Sequence, residues 1–182
     1  MLVGVVSDTH DNLATAKAAF DFFATKGVKL VVHCGDWKSP AFLADCATYA
    51  EKLKLEIRGV LGNNDKEVAA MLTVGAENEN LTAAEGVLEM VMYGTRIAAY
   101  HGHHKPTLRR VMESDEYDVV LLGHTHKPLI MHEANTLIVN PGSTAFAIPR
   151  SKSWKPTVAI VDLVTVSADM YYLHDDGWRV DA

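Results

Sequence analysis

Short apolar segments alternate with helical segments over the first sixty residues, and this alternation constrains the fold more than any other feature. Residues 2–6 form a continuous apolar run, and residues 28–33 and 56–61 form two more, as expected for strands buried on both faces. An amphipathic helical stripe separates the first two runs, and a helix over 40–53 separates the last two. This β-α-β-α-β order predicts parallel strand pairing with right-handed crossovers.

The second half of the chain is dominated by predicted strands. Residues 73–86 are polar and predict a loop, and a hairpin around Gly94-Thr95 follows. No repeat, low-complexity segment or linker interrupts the sequence, so we expect one α/β domain over 1–182 with two packed sheets. The elements predicted after the loop are strands at 87–93, 96–101, 118–122, 128–132, 136–139, 157–163 and 167–173, and a helix over 106–115.

Composition indicates which kinds of partner and which location to expect for this protein. Of the 182 residues, 48% are hydrophobic and 22% are charged, which is typical of a globular protein and not of a disordered one. The net charge of −6 argues against binding to long nucleic acids, and no apolar run is long enough to cross a membrane. The N-terminal segment lacks the basic start of a signal peptide, and Cys34 and Cys46 are too few for a disulfide framework. We therefore expect a cytoplasmic location.

Polar residues follow the apolar strands at the points where the strands end. Ligands of open α/β sheets bind outside the carboxyl ends of strands, so these residues are expected to converge on one crevice. Glycine opens three of the segments, which allows backbone and ion to approach closely. The five segments are Asp8-Thr9-His10, Gly35-Asp36, Gly62-Asn63-Asn64-Asp65, His101-Gly102-His103 and Gly123-His124-Thr125-His126.

The residue types in these segments indicate metal binding. Asp8 and His10 alternate along an extended chain, and so do His124 and His126, so each pair is expected to point the same way. Carboxylate, imidazole and amide oxygen together suit divalent ions such as Mn, Fe, Zn, Co or Ni. The seven candidate ligands exceed one four-coordinate site, and they fit two metals about 3.5–4 Å apart that share a carboxylate. Such a pair holds phosphate oxygens and converts a bridging water into an attacking hydroxide.

In order and spacing, these five segments resemble the motifs of the calcineurin-like metallophosphoesterase superfamily. Asn140-Pro141-Gly142-Ser143, with Pro149-Arg150 after it, is similar to the small bacterial and archaeal phosphodiesterase branch. The resemblance implies a two-sheet β-sandwich flanked by helices, a four-layer α/β/β/α fold. It also implies the metal ligands: Asp8, His10 and His126 for the first ion, Asp36 as the bridge, and Asn63, His101 and His124 for the second.

One position departs from the wider family, in which a histidine often follows the metal-binding asparagine. Asn64 stands there instead, and an amide has no proton to give a leaving oxygen near neutral pH. The resemblance implies a catalytic contact with phosphate for Asn64 and for His103. Without the histidine, we expect either a preference for good leaving groups or protonation by His103 or a metal-bound water.

The sequence thus predicts a metal-dependent phosphodiesterase that acts on a small phosphodiester or nucleotide-like substrate, with Mn²⁺ or Ni²⁺ favoured over Zn²⁺, Fe²⁺, Co²⁺ or Mg²⁺. Two alternatives stay open: a phosphomonoesterase, and a protein-binding scaffold on the same fold, as in the retromer subunit that resembles these enzymes. Arg150 could reach a substrate phosphate or pair with an acid on the surface. Exposed strands of the second half could form a homo-oligomer.

Overall fold

The computed structural model describes residues 1–145 and 154–181, which form twelve strands and four helices. In chain order these are β1 (Leu2–Val6), α1 (Leu13–Thr25), β2 (Leu30–His33), α2 (Pro40–Leu53), β3 (Glu56–Val60), α3 (Val68–Glu77), β4 (Leu81–Ala84), β5 (Leu88–Met92), β6 (Thr95–Tyr100), α4 (Lys105–Met112), β7 (Val119–Leu122), β8 (Pro128–Glu133), β9 (Thr136–Pro141), β10 (Thr157–Asp162), β11 (Ser167–His174) and β12 (Gly177–Arg179).

The strands form two sheets, one of seven strands in the order β12-β11-β10-β1-β2-β3-β4 and one of five in the order β5-β6-β7-β9-β8. The strands β1 to β4 pair in parallel, as the alternation of strands and helices predicts. The strands β6, β7 and β9 are also parallel, whereas β10, β11 and β12 extend the first sheet with antiparallel pairs. Parallel strands therefore form the centre of the five-stranded sheet, and in the seven-stranded sheet they run from the central β1 to the edge strand β4.

Three apolar clusters hold the layers together. Between the sheets, Val3 and Val5 of β1 pack with Leu121 of β7 and other buried side chains of both sheets. Phe20 of α1 packs in the cluster on the outer face of the seven-stranded sheet, and Val111 of α4 packs in the cluster on the outer face of the five-stranded sheet. The predicted four-layer α/β/β/α sandwich is confirmed.

The first two helices begin at polar caps that satisfy free backbone N–H groups. The Asn12 side chain accepts a hydrogen bond from the Thr15 N–H at the start of α1, and the Ser39 hydroxyl accepts one from the Phe42 N–H at the start of α2. Each cap lies a few residues beyond a strand end, so it limits the length of the loop that carries the polar segment. No helix in residues 1–145 and 154–181 is long and apolar enough to cross a membrane.

The prediction of a loop over residues 73–86 was wrong, because this stretch contains the second half of α3 and the whole of the strand β4. Polar side chains suggested a loop, but α3 buries Met71 and β4 buries Leu81 against the core. The strand β4 forms because its backbone pairs with β3, and a pattern of neighbouring residues does not reveal such a pairing. The predicted hairpin is present, but its two-residue turn is Tyr93-Gly94, where both φ angles are positive. The short strand β12 was not predicted.

Candidate metal centre

The five polar segments lie together at the carboxyl ends of strands from both sheets, as predicted. Hydrogen bonds join the segments directly. The His124 N–H donates to Asp8 Oδ2 at 3.0 Å, and His101 Nδ1 lies 2.7 Å from the carbonyl oxygen of Cys34. The His10 N–H donates to the Asp36 carbonyl at 3.1 Å. The centre is therefore built where the two sheets meet.

The candidate ligands do not reach this centre from extended backbone. Five of them have backbone φ angles between 44° and 68°, so the predicted extended backbone is wrong, although the ligand atoms of Asp8 and His10 still converge. Left-handed backbone is unfavourable for residues with a Cβ and persists where surrounding contacts hold it, often at functional sites. The candidate ligands in this conformation are Asp8, His10, Asp36, His124 and His126.

Four side chains form a first donor group. Asp8 Oδ1 lies 3.1 Å from His126 Nε2, and His10 Nε2 lies 3.3 Å from the same His126 nitrogen. Asp36 Oδ2 is 3.6 Å from His10 Nε2. One ligand atom from each of these residues lies within 4.8 Å of the others, so a single cation could contact all four.

A second donor group surrounds His101, whose side chain is fully buried. Its Nε2 lies 3.1 Å from Asn63 Oδ1 and 3.3 Å from Asp36 Oδ1. The His124 ring lies edge-on to His101, with ring centroids 5.1 Å apart. Asp36 thus turns one carboxylate oxygen toward each donor group. His124 and His126 belong to different groups, which is the division that the resemblance implies, although alternation along the chain predicted that they point the same way.

The chemistry of these contacts fits divalent cations. His10 and His126 face each other through Nε2, and only one of two such nitrogens can donate a hydrogen to the other. Asp8 Oδ1 is buried and accepts no hydrogen bond from any described residue. His101 donates from Nδ1 to a carbonyl, which in the neutral ring leaves a lone pair on Nε2 facing two further acceptors. Converging lone pairs without hydrogens between them are satisfied by a cation.

Burial opposes the protonation of several histidines at the centre. It lowers the pKa of His10, of His103 and of His124, more than neighbouring carboxylates raise it. For His101 the balance is reversed: burial lowers its pKa, but its contact with Asp36 contributes to a net rise. Burial raises the pKa of Asp36, yet its contact with His101 and the two hydrogen bonds from Asn64 hold that pKa well below the usual range. Neutral imidazoles and an ionised carboxylate are the forms that bind metal.

Contacts from outside the two groups fix Asp8. Its Oδ2 accepts hydrogen bonds from the Ser7 hydroxyl at 2.6 Å and from the His124 N–H. The Ser143 hydroxyl donates to the Asp8 carbonyl at 2.8 Å. These contacts orient the carboxylate so that Oδ1 faces His126. Supporting hydrogen bonds of this kind orient metal ligands and tune their affinity.

Two of the predicted glycines are required by side chains of the centre. Gly35 has a φ of +95°, and a Cβ there would lie 2.7 Å from His101 Nδ1. A Cβ on Gly62 would collide with Asp36 Oδ1. The glycines therefore make room for candidate ligands, whereas the sequence suggested only that they allow backbone and ion to approach.

His33 is a support and not a member of either group, as its apolar strand indicates. Its Nδ1 accepts a hydrogen bond from the Gly35 N–H at 3.1 Å, and its Nε2 lies 3.0 Å from the Thr9 hydroxyl. The ring stacks on the buried Trp37 at a centroid distance of 3.4 Å. His33 therefore connects the polar segments that follow β1 and β2.

The two residues predicted to contact phosphate lie at the exposed side of the centre. The His103 ring centroid is 5.5 Å from that of His101 and 6.4 Å from that of His124. Asn64 contacts Asp36 twice: its N–H donates to Oδ1 at 2.8 Å and its Nδ2 donates to Oδ2 at 2.7 Å. The Asn64 amide therefore holds the carboxylate that lies between the two groups.

Asp65 has a role that the sequence did not reveal, although it stands in one of the five segments. Its buried carboxylate accepts hydrogen bonds from three backbone N–H groups: Gly62 at 2.6 Å, Asp36 at 3.0 Å and Lys38 at 2.6 Å. Burial raises its pKa even though these donors favour the charged form. Asp65 joins the segments that follow β2 and β3. The sequence feature that could have indicated this role is its position in the same tetrapeptide as Asn63.

We expect Asp65→Asn to lower the free energy of unfolding of the metal-free protein by about 2–3 kcal/mol, because an amide has one acceptor oxygen for three buried N–H donors. Urea unfolding measures this change. Asp169→Asn, on an exposed position of β11, is the matched control and should shift stability by less than about 0.5 kcal/mol. Equal stability of the two variants would contradict the role of Asp65.

The Asn-Pro-Gly-Ser run supports the centre from β9. Asn140 Nδ2 donates to the Gly123 carbonyl at 2.7 Å and lies 3.1 Å from the Thr125 hydroxyl. With the contact of Ser143 to Asp8, this run holds the segments after β1 and β7. Pro149 and Arg150 lie outside the described residues.

A two-sheet sandwich with carboxylate, imidazole and amide donors at its strand ends defines the metallophosphoesterase class. The sequence-family model of the calcineurin-like phosphoesterase superfamily domain matches residues 1–166, so the chain belongs to this superfamily. A phosphodiesterase of Methanocaldococcus jannaschii is 29% identical over 162 residues, which cover 89% of this chain and 93% of the relative. A probable metallophosphoesterase of Methanothermobacter thermautotrophicus is 32% identical over 158 residues, or 82% and 80% of the two chains.

A solved structure supports the same relationship. The structure of an archaeal phosphodiesterase superposes with a TM-score of 0.81 at 28% identity. The similarity covers 95% of this chain and 100% of that one. The fold is therefore shared over nearly the whole chain.

Proposed function

We propose that this protein is a metal-dependent phosphodiesterase. The observation that carries the proposal is the position of Asp36, which faces His10 with one carboxylate oxygen and His101 with the other. A carboxylate between two donor groups is the arrangement that a pair of metal ions requires. Membership of the calcineurin-like phosphoesterase superfamily and the two phosphodiesterase relatives support the same reaction.

The two donor groups divide the ligands between two cations. In this proposal the first cation is held by Asp8, His10 and His126, the second by Asn63, His101 and His124, and Asp36 contacts both. Bound there, the cations would supply Lewis acidity and a water of lowered pKa for in-line attack on phosphorus. Mn²⁺ or Ni²⁺ is proposed because imidazole and oxygen donors suit them, while Zn²⁺, Fe²⁺, Co²⁺ and Mg²⁺ are tested alongside.

Side chains at the rim complete the proposed site. His103 lies beside both His101 and His124, and as a neutral imidazole it can donate a hydrogen bond to a phosphoryl oxygen. Asn64 orients Asp36 through its two hydrogen bonds and so acts on the reaction through that carboxylate. Since Asn64 cannot donate a proton to a leaving oxygen, we propose that esters with good leaving groups react fastest.

The remaining features of the proposal concern the whole protein. We propose one domain over 1–182, because the family model spans residues 1–166. The strands before and after residues 146–153 also belong to the two sheets that pack together: β9 is in the five-stranded sheet and β10 is in the seven-stranded sheet. Cys34 and Cys46 are both buried free thiols, which supports a cytoplasmic location. The net charge of −6 supports a small diester over long nucleic acid. A homo-oligomer through β8 is proposed from its exposed Leu129 and Ile130.

The test is hydrolysis of bis-p-nitrophenyl phosphate by metal-stripped protein to which Mn²⁺, Ni²⁺, Zn²⁺, Fe²⁺, Co²⁺ or Mg²⁺ is returned, with p-nitrophenyl phosphate run alongside. We expect turnover of the diester only with added metal, and slower turnover of the monoester. A faster monoester would make the protein a phosphatase with the same site. Absence of both turnover and metal binding would favour the protein-binding scaffold and overturn the proposal.

A further inference from the structure

A pocket of about 300 Å³ opens beside the second donor group. Gly62 and His103 belong both to the polar segments of the centre and to the walls of this pocket. Gly62 precedes Asn63 directly, and the His103 ring lies 5.5 Å from the His101 ring. A group attached to a phosphate held at the donor groups would therefore have this pocket within reach.

The floor of the pocket is apolar and held in place. Leu61 and Tyr100 are 5% and 2% exposed, and Val68, the first residue of α3, packs against the core. The Tyr100 hydroxyl accepts a hydrogen bond from the His104 N–H at 3.1 Å, which ties the ring to the start of α4. The His103 ring lies 5.7 Å from the Tyr100 ring, so aromatic surface continues from the centre into the pocket.

The rim of the pocket carries negative charge. Glu85 lines it in the loop between β4 and β5, and its side chain is exposed. The other polar walls are His103, His104 and Thr107, and no lysine or arginine of residues 1–145 and 154–181 lines the pocket. Among these described residues, a second phosphate or a carboxylate on the substrate would meet Glu85 without a basic side chain to compensate it.

Size and chemistry together define what fits. A volume of about 300 Å³ is at the lower end of ligand pockets, which corresponds to one small substituent. A wider cleft of about 730 Å³ between the ends of α2 and α3 contains four glutamates and none of the candidate ligands, so it offers no place for the phosphate.

We propose that this pocket binds one ester substituent of the substrate and selects a single uncharged ring or short apolar group over an anionic one. The proposal rests on the proposed function only in assigning the phosphate to the donor groups. Val68 and Glu85 are the specificity-determining residues, since Val68 limits the depth of the pocket and Glu85 sets its charge.

Phosphonates test the pocket because each has only one substituent. Calorimetry would measure the affinity of the Mn²⁺-loaded protein for methylphosphonate, phenylphosphonate and 4-carboxyphenylphosphonate. We expect the phenyl compound to bind about 10-fold more tightly than the methyl compound, and the carboxyphenyl compound to lose that gain. Equal affinity for the methyl and phenyl compounds would overturn the proposal.

Two variants assign the effect to this pocket. Val68→Phe fills it and should remove the preference for phenyl over methyl, whereas Val91→Phe, the same change on an exposed position of β5, should retain it. Glu85→Lys should raise the affinity for the carboxyphenyl compound about 10-fold relative to the phenyl compound. Glu79→Lys, an exposed glutamate outside the pocket, controls for the change in net charge. Thermal unfolding would verify that Val68→Phe is folded.

The outcomes separate this inference from the proposed function. Phosphonate binding with a phenyl preference that Val68→Phe removes supports the pocket, even if bis-p-nitrophenyl phosphate is not hydrolysed. Diester hydrolysis with a phenyl preference that Val68→Phe leaves unchanged supports the enzyme and overturns the pocket. Identical responses of the Glu85→Lys and Glu79→Lys variants would overturn the role of Glu85.

Discussion

Asp36→Asn should reduce metal-dependent diester hydrolysis by about 1,000-fold or more. The wild-type carboxylate presents one oxygen to each donor group, whereas an amide presents one oxygen and an NH₂ group that cannot bind a cation. Either orientation of the amide therefore weakens one of the two cation sites. The charge near both groups is also reduced, because Asp36 is ionised in the native protein. Initial rates with bis-p-nitrophenyl phosphate at saturating Mn²⁺ measure the loss.

The control must separate loss of the bridge from loss of the fold. Asp169→Asn makes the same chemical change on the exposed side of β11 and should keep full turnover. Both variants should show the same far-ultraviolet circular dichroism, since Asp36 lies in a loop and not within a strand. Turnover by Asp36→Asn within about 10-fold of the wild type would contradict the shared-carboxylate assignment.

Metal loading should raise the melting temperature of the protein by about 5–10 °C. A ligand that binds only the native state at about 100 times its dissociation constant stabilises that state by about 2.7 kcal/mol, and each kcal/mol raises the melting temperature of a chain of this size by about 2–4 °C. The unfolded chain competes poorly for the ion because the donors come from segments between residues 8 and 126. Binding also satisfies Asp8 Oδ1, which accepts no hydrogen bond from the described residues.

Differential scanning calorimetry of metal-stripped protein with and without Mn²⁺ measures this shift. Asp36→Asn should show less than half of the wild-type shift, because the amide leaves one donor group without an oxygen ligand and removes the negative charge that both groups share. Asp169→Asn should show the whole shift. A melting temperature that does not respond to Mn²⁺, Ni²⁺ or Zn²⁺ would contradict the assignment of the converging donors as a metal centre.

The sequence predicted most of the fold because its strongest signals are local. Residues 2–6 and 40–53 carry patterns that match β1 and α2, and the Ser39 cap and Pro40 mark where that helix begins. The loop prediction over 73–86 failed for a nonlocal reason. The strand β4 exists because Leu81 is buried and its backbone pairs with β3, and neither fact is visible in a short window.

The sequence by itself also predicted which candidate ligands lie together at the strand ends. Each candidate ligand follows a strand, and parallel strands bring their carboxyl ends to one edge, so order along the chain implied proximity in space. The resemblance implied how the ligands divide, but only the tertiary structure shows how residues so close in the chain separate: His124 and His126 are two residues apart, yet one lies beside His101 and the other beside Asp8. The tertiary structure also gave Asp65 its three backbone donors and made the pocket at Val68. These features depend on contacts between segments far apart in the chain, and such contacts form only when the two sheets pack together.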